Sequence, residues 1–390
     1  MRLPMLAAVL ALIATQAAAQ SCGGPFNAFV AQLKAEAVQR GHAQSTVDSF
    51  FRTARQDQRV LRADRAQGIF RSEFTDFARR LISQNRLTNG RRNYERYRSV
   101  FDRAQREYGV SPGVLLALWG FETDYGTFQG DYNTLNALVT LAHDCRRPQL
   151  FRPHIFAAIS LYERGAFDPA TTTGAWAGEI GMVQMLPRDI LESGVDGDGD
   201  GRVDLRRSVP DALLSGANML RKLGWRPNQP WMHEVSVPDD LDWSQTGLRT
   251  EKSVAEWQRL GVRARHGSLP SGNMRASVIV PQGRRGPAFM VFPNFRVLFE
   301  WNQSFVYVVT TGYFATRLEG APVFDAGNPE PGLSPDQMRE LQRRLTARGY
   351  NTGGVTGILG ANTRAAVQDA QRALGLPADA WPTRALLDRL

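Results

Sequence analysis

Between residues 26 and 228 apolar side chains recur at three- and four-residue steps, and this period constrains the fold more than any other feature of the chain. Phe26, Phe29, Val30 and Leu33 follow it, and so do Tyr94, Tyr97, Val100, Phe101 and Ala104. Such a stripe lies along one side of an α-helix, so the segment predicts helices packed around a shared core. Ser111 and Pro112 open a further helix, with Ser at the cap and Pro in the first turn, and Gly126 follows as its stop. Another amphipathic helix runs over residues 211–223 and ends at Gly224. After residue 231 the texture changes. Residues 276–280, 288–292 and 305–310 are rich in β-branched and aromatic side chains and read as a small β-containing insertion on the helical body, with 294–301 returning to helix. A Pro- and Gly-bearing linker covers residues 325–332. Beyond it, residues 333–390 form a compact unit with helices expected over 335–348, 362–374 and 383–390. The fold class is therefore mainly α: a helical body over residues 20–324 with a small β-containing insertion, plus a small three-helix C-terminal unit.

The N-terminus reads as an export signal. Arg2 supplies a positive start, residues 5–14 an apolar centre, and Ala17, Ala18 and Ala19 a small-residue cleavage site. A signal peptide over residues 1–19 is too short to be a good membrane span. Cys22 lacks the Leu three residues earlier that a lipoprotein signal carries, so a soluble periplasmic chain without a membrane anchor is expected. In an oxidising compartment Cys22 and Cys145, the two cysteines of the chain, most simply make one disulfide, with two buried thiols as the alternative. The net charge of +9 fits an acidic partner. Export favours the cell wall, with its peptide carboxylates, over nucleic acid; a generally basic surface is the plainer reading.

Three segments carry candidate chemistry. In residues 109–126, Leu115, Leu118 and Glu122 share one helical face. A carboxylate at the end of an apolar face is costly to ionise, so its pKa should rise, as a general acid near neutral pH requires. A Glu pointing to solvent from a helix end is the alternative. Residues 174–187 place Gly174, Gly178, Gly181 and Pro187 around the amide of Gln184, which suggests backbone close to a ligand, or a buried turn whose glycines serve packing. Asp196, Asp198 and Asp200 alternate with Gly, with Gly201 sixth in the run, matching the start of a calcium loop; the Arg202 carbonyl would follow. Position twelve is Arg207, so the usual bidentate Glu is missing.

Together these segments resemble the lytic transglycosylase B family (glycoside hydrolase family 103) over about residues 26–318. The marks are the Glu-Thr-x-x-Gly run at Glu122, the Ala-Gly-x-x-Gly-x-x-Gln-x-x-Pro run ending at Pro187, and the acidic loop. The resemblance implies a lysozyme-like helical body with a long groove. It makes Glu122 the sole catalytic carboxylate, cutting the β-1,4 bond between N-acetylmuramic acid and N-acetylglucosamine with closure of a 1,6-anhydro ring. Arg146, Arg147, Gln184, Asn302 and Tyr307 match the family's sugar-site positions, and Asp211 matches a late carboxylate ligand of one structural Ca²⁺. No cofactor is implied for the chemistry, and a monomer acting on peptidoglycan strands is expected. Ala175 stands where the family commonly has Ser, and Met219 where some members have a groove Tyr. Glu179 is an extra acid, read as structural or peripheral. Residues 333–390 resemble the peptidoglycan-binding type 1 domain through Leu341-Gln342, Gly349-Tyr350, Thr363-Arg364, Ala366-Val367 and Leu376-Pro377, with Ala370 in place of the usual Phe. A hydrolytic muramidase on the same fold and an inactive wall-binding scaffold are the competing readings.

Overall fold

The computed structural model describes residues 22–66 and 72–390. The signal peptide expected over residues 1–19 lies outside the described residues. The apolar period does become helix. In Phe26–Gln39 every fourth residue, Phe29, Leu33 and Ala37, is buried. The aromatic run from Tyr94 to Ala104 is divided between two helices, Gln84–Arg96 and Arg98–Tyr108, with Tyr97 at the junction.

Helix Pro112–Thr123 is apolar all round and buried from Gly113 to Gly120, which makes it the central helix of the body. Ser111 holds its cap position without bonding the helix backbone: its hydroxyl donates to Glu319, whose carboxylate also accepts the Gly113 N–H at 3.1 Å. The helix stops at Thr123, three residues before Gly126, because Asp124 and Tyr125 already turn left-handed with φ of 49° and 60°.

Alongside it runs Phe305–Leu318, where strand was expected over 305–310. That segment is helical because Ser304 caps it, its hydroxyl accepting from the Tyr307 N–H, and because the element is enclosed on nearly all sides. A short run buried all round loses its diagnostic period, and β-branched content then misleads. Gly120 permits the close crossing: a Cβ there would meet the Phe314 ring at 3.1 Å.

The insertion is a five-stranded antiparallel sheet in the order Lys252–Ser253, Arg275–Ile279, Phe289–Val291, Met232–Ser236, Arg263–Ala264. Its alternation has the period of a strand. Val278 and Met290 face a local cluster with Val254 and Trp257, while Ile279, Phe289 and Val291 join the main core. The chain then returns to the body through Pro293–Trp301 and Phe305–Leu318.

The C-terminal helices Pro335–Ala347, Ala361–Ala373 and Arg384–Arg389 enclose Met338, Leu341, Leu345, Val367, Ala370 and Leu386. This unit is docked on the insertion. Arg249 grips Asp369 with two bonds of 2.7 Å, and Gln368 donates to the Thr246 carbonyl at 2.9 Å. The linker is held as well, since the Trp381 indole donates to the Glu330 carbonyl at 2.8 Å. Among the described residues no helix is long and apolar enough to cross a membrane.

Cys22 and Cys145 form a disulfide that closes a span of 123 residues. It fixes the chain ahead of the first helix to the segment carrying Arg146 and Arg147. Cross-links stabilise largely by restricting the unfolded chain, so the Cys22→Ser, Cys145→Ser double variant should lose about 2–4 kcal/mol in urea unfolding. Unchanged unfolding midpoints with and without the bridge would contradict that role.

Candidate active site

Glu122 occupies the last turn of the central helix, where the apolar face runs out. Its Oε1 accepts two hydrogen bonds, from the Tyr307 hydroxyl at 2.5 Å and from the Trp301 indole at 3.0 Å. No described residue donates to Oε2. Burial raises the Glu122 pKa above the usual carboxylate value, and the bonds from Tyr307 and Trp301 partly oppose it. The Tyr307 hydroxyl titrates well above its ordinary value through burial and the neighbouring Glu122, so it stays a donor. Trp301 was not singled out from the sequence, although it adjoins Asn302; nothing in the residue pattern marks an indole as a carboxylate's donor.

Thr123 joins the Glu122 turn to the glycine-rich segment. Its hydroxyl donates to the Met182 carbonyl at 2.6 Å and accepts the Gly126 N–H at 2.9 Å. In this segment the glycines make room for protein. A Cβ on Gly174 would lie 1.9 Å from the Glu179 carbonyl oxygen, and one on Gly178 2.6 Å from the Leu138 side chain. Gln184 adopts φ 53° and donates its amide to the Gly181 carbonyl at 2.7 Å and the Gln129 carbonyl at 3.3 Å. Both contacts use Nε2, and no described residue donates to its Oε1.

Arg146 and Arg147 both clamp Asp64, a buried carboxylate, with Arg146 Nη1 2.5 Å from Oδ2. Arg147 is close enough to Glu179 to stabilise its charge, and Glu179 in turn feels Glu122. Asn302 follows helix Pro293–Trp301 as its C-cap, and its Oδ1 accepts the Ser304 N–H at 2.9 Å, with no hydrogen bond to Glu122. Of the sequence-derived set, the structure brings Tyr307 into direct contact with Glu122.

Of the two readings of Glu179, structural or peripheral, its burial favours the first. Its Oε2 is out of solvent and has no hydrogen-bond partner. Burial pushes its pKa up from 4.5 to about 7; nearby backbone N–H groups and Arg147 oppose this, and the Glu122 charge adds to it. A raised folded pKa means that the native state holds the proton more tightly. The stability gained is complete below the ordinary 4.5 and is lost as the pH rises through about 7. Glu179→Gln cannot ionise, so its melting temperature should fall less than that of the parent between those limits. Parallel melting curves across that window would contradict the assignment.

In the acidic loop, oxygens of Asp196, Asp198 and Asp211 lie within 4.8 Å of one another. Asp211 is buried and accepts the Gly197 and Asp204 N–H groups at 2.8 and 2.7 Å. Asp200 stands outside this group and accepts the Arg202 N–H at 2.9 Å.

The family model for the transglycosylase SLT domain matches residues 25–316, and that for a putative peptidoglycan binding domain matches residues 334–390. The membrane-bound lytic murein transglycosylase B of Escherichia coli (strain K12) is 26% identical over 236 residues, 60% of this chain and 64% of that protein. The chain thus spans slightly under two thirds of that relative. SltB3 from Pseudomonas aeruginosa, solved in complex with NAG-anhNAM-pentapeptide, superposes with a TM-score of 0.85 at 35% identity, over 94% of this chain and 99% of that one. The Escherichia coli lytic transglycosylase Slt35 in complex with calcium shares the fold, with a TM-score of 0.65 at 23% identity over 78% of this chain and 97% of that one.

Proposed function

The chain belongs to the transglycosylase SLT domain family, and from that premise we propose that it is a peptidoglycan lytic transglycosylase with Glu122 as its single acid and base. One observation carries the assignment: an enclosed carboxyl of raised pKa has one oxygen fixed by Tyr307 and Trp301 and the other free of donors among the described residues. Oε1 is anchored, so Oε2 delivers the proton to the glycosidic oxygen between N-acetylmuramic acid and N-acetylglucosamine. The leaving sugar departs with that proton. The carboxylate left behind then accepts the proton of the muramic C6 hydroxyl as that oxygen bonds to C1 and closes the 1,6-anhydro ring. Tyr307 and Trp301 stabilise the intermediate charge. Water is not the acceptor, so the second carboxylate of a two-acid hydrolase is not required. The NAG-anhNAM ligand named for SltB3 is the product type this route makes.

Arg146, Arg147, Gln184 and Asn302 hold sugar or peptide groups along the groove, Gln184 through its Oε1. The catalytic unit covers residues 20–324 and the wall-binding unit residues 333–390, joined by the linker at 325–332. The enzyme works in the periplasm as a soluble monomer on glycan strands. Mass spectrometry of digested sacculi tests the reaction: each muramic end should be lighter by one water than a reducing end. Predominantly reducing ends would make the enzyme a hydrolytic muramidase, and absence of cleavage would leave a wall-binding scaffold.

The chemistry needs no cofactor. The acidic loop fits one structural Ca²⁺, because three carboxylates converge there and no Lys or Arg of the described residues ion-pairs with them. Asp196, Asp198 and Asp211 are its first ligands, with Asp200 and the Arg202 carbonyl completing the set. Calcium at about a hundredfold over its Kd should stabilise the protein by roughly 2.7 kcal/mol. The melting temperature of Asp211→Asn should not respond. A parent protein indifferent to both calcium and chelator would remove the site.

A further inference from the structure

Both hydrogen bonds to Glu122 come from one corner of the fold. Trp301 is the last residue of helix Pro293–Trp301, Tyr307 lies in the first turn of helix Phe305–Leu318, and residues 302–304 join the two. The set of this corner decides how well two donors meet one carboxylate oxygen. Within it, Asn302 Oδ1 accepts the Ser304 N–H at 2.9 Å, and the Ser304 hydroxyl accepts the Tyr307 N–H at 3.4 Å. Phe305, buried at the start of the second helix, takes further support from a different unit of the chain.

That support is Arg364, on helix Ala361–Ala373 of the C-terminal unit. Its guanidinium stacks over the Phe305 ring, 4.2 Å from the centroid, and its Nη2 donates to the Pro281 carbonyl of the insertion at 2.6 Å. Burial lowers the Arg364 pKa to about 9, and the nearby Asp379 charge opposes this, so the group is a cation at neutral pH. One side chain thus ties together the C-terminal unit, the insertion and the body. Cavities of about 190 and 50 Å³ both border Phe305 and Arg364. Neighbours that leave space beside a ring hold it less firmly, so the stacked cation carries more of that task. Docking alone does not call for it. Arg249 on Asp369 and Gln368 on the Thr246 carbonyl already grip the seam, and a buried cation is a costly addition to them.

We propose that Arg364 is a positioning residue for the reaction: stacked on Phe305, it holds the corner at which Tyr307 and Trp301 meet Glu122, so that the docked C-terminal unit sets the rate of the chemical step. The inference rests on the reaction proposed above for Glu122.

Steady-state cleavage of a soluble NAG–NAM oligosaccharide by the full chain tests this, because kcat at saturation does not depend on affinity for the wall. Arg364→Gln should lower kcat about threefold to tenfold, the range of a desolvated cation–π contact passed on to the transition state. The bonds from Tyr307 and Trp301 favour the Glu122 carboxylate, so a looser corner raises its pKa and the alkaline limb should move upward. Phe305→Leu changes no charge and should reproduce both effects. Arg364→Lys keeps a cation over the ring and should recover most of the rate. Arg249→Gln breaks the other cationic contact of the seam without touching Phe305, and should leave kcat as in the parent. In the Tyr307→Phe background Arg364→Gln should lose most of its effect, because the hydroxyl it acts through is gone. Glu179, which feels Glu122, and Arg86, near Tyr307, are untouched by these changes.

A second readout needs no turnover. The Trp301 indole N–H resonance, identified by its loss in Trp301→Phe, reports the ionisation of Glu122, and its titration midpoint should rise in Arg364→Gln and Phe305→Leu. Unchanged kcat and midpoint in both variants, an equal loss in Arg249→Gln, or full additivity with Tyr307→Phe would overturn the proposal. A chain whose midpoint shifts as stated but which does not cleave keeps the positioning role and loses the proposed reaction. One that cleaves while the variants change neither readout loses the positioning role alone.

Discussion

Glu122→Gln should lower cleavage of sacculi on the order of 10⁴-fold while leaving the protein folded. The amide has the carboxyl's shape and still accepts from Tyr307 and Trp301, so the packing around Oε1 survives. What disappears is the exchangeable proton. In the proposed reaction one group serves both halves, so neither the protonation of the leaving oxygen nor the deprotonation of the C6 hydroxyl has a substitute. Stability should hold or rise slightly, because burial already disfavours the charged form. Circular dichroism melts on the same samples separate the two effects. A variant that remains folded and active would remove Glu122 from the mechanism.

Tyr307→Phe should cost about tenfold to 10²-fold in cleavage and should also move the pH profile. Its hydroxyl donates to Glu122 Oε1 at 2.5 Å, a bond that favours the carboxylate over the acid. Hydrogen bonds to charged groups contribute roughly 1.5–3 kcal/mol, which corresponds to that range of rate. Glu122 must enter the reaction protonated, so activity falls as the pH rises through its pKa. Losing the donor raises that pKa further, and the alkaline limb should move upward. Trp301→Phe should act in the same direction with a smaller effect, through the 3.0 Å bond. An equal loss at every pH, with the limb unmoved, would confine Tyr307 to packing against Phe121.

Legibility in the sequence followed the strength of each physical signal. Helix Phe26–Gln39 was readable because one face is wet and the other dry. Phe305–Leu318 was not, since burial on nearly all sides erased the period that separates helix from strand. Glu122 was visible as a carboxyl stranded at the end of an apolar face, but Trp301 became visible only when the fold laid its indole on Oε1. The glycines of residues 174–181 left open either backbone close to a ligand or a packed turn, and the Glu179 carbonyl and Leu138, tertiary neighbours, fill the space at Gly174 and Gly178. Glu179 read as structural or peripheral, and the choice between the two depends on packing that no local pattern encodes. The docking of the C-terminal unit is equally non-local: Arg249 and Asp369 are 120 residues apart in the chain.

The central claim is that Glu122 passes a proton out and takes one back without admitting water to the anomeric carbon. Digestion of sacculi in water enriched in heavy oxygen, followed by mass spectrometry of the released muropeptides, tests it most directly. The account predicts 1,6-anhydro ends that carry no heavy oxygen, because the C6 hydroxyl of the sugar supplies the new bond. Muramic ends bearing one heavy oxygen at C1 would show that water attacks there, and would contradict it.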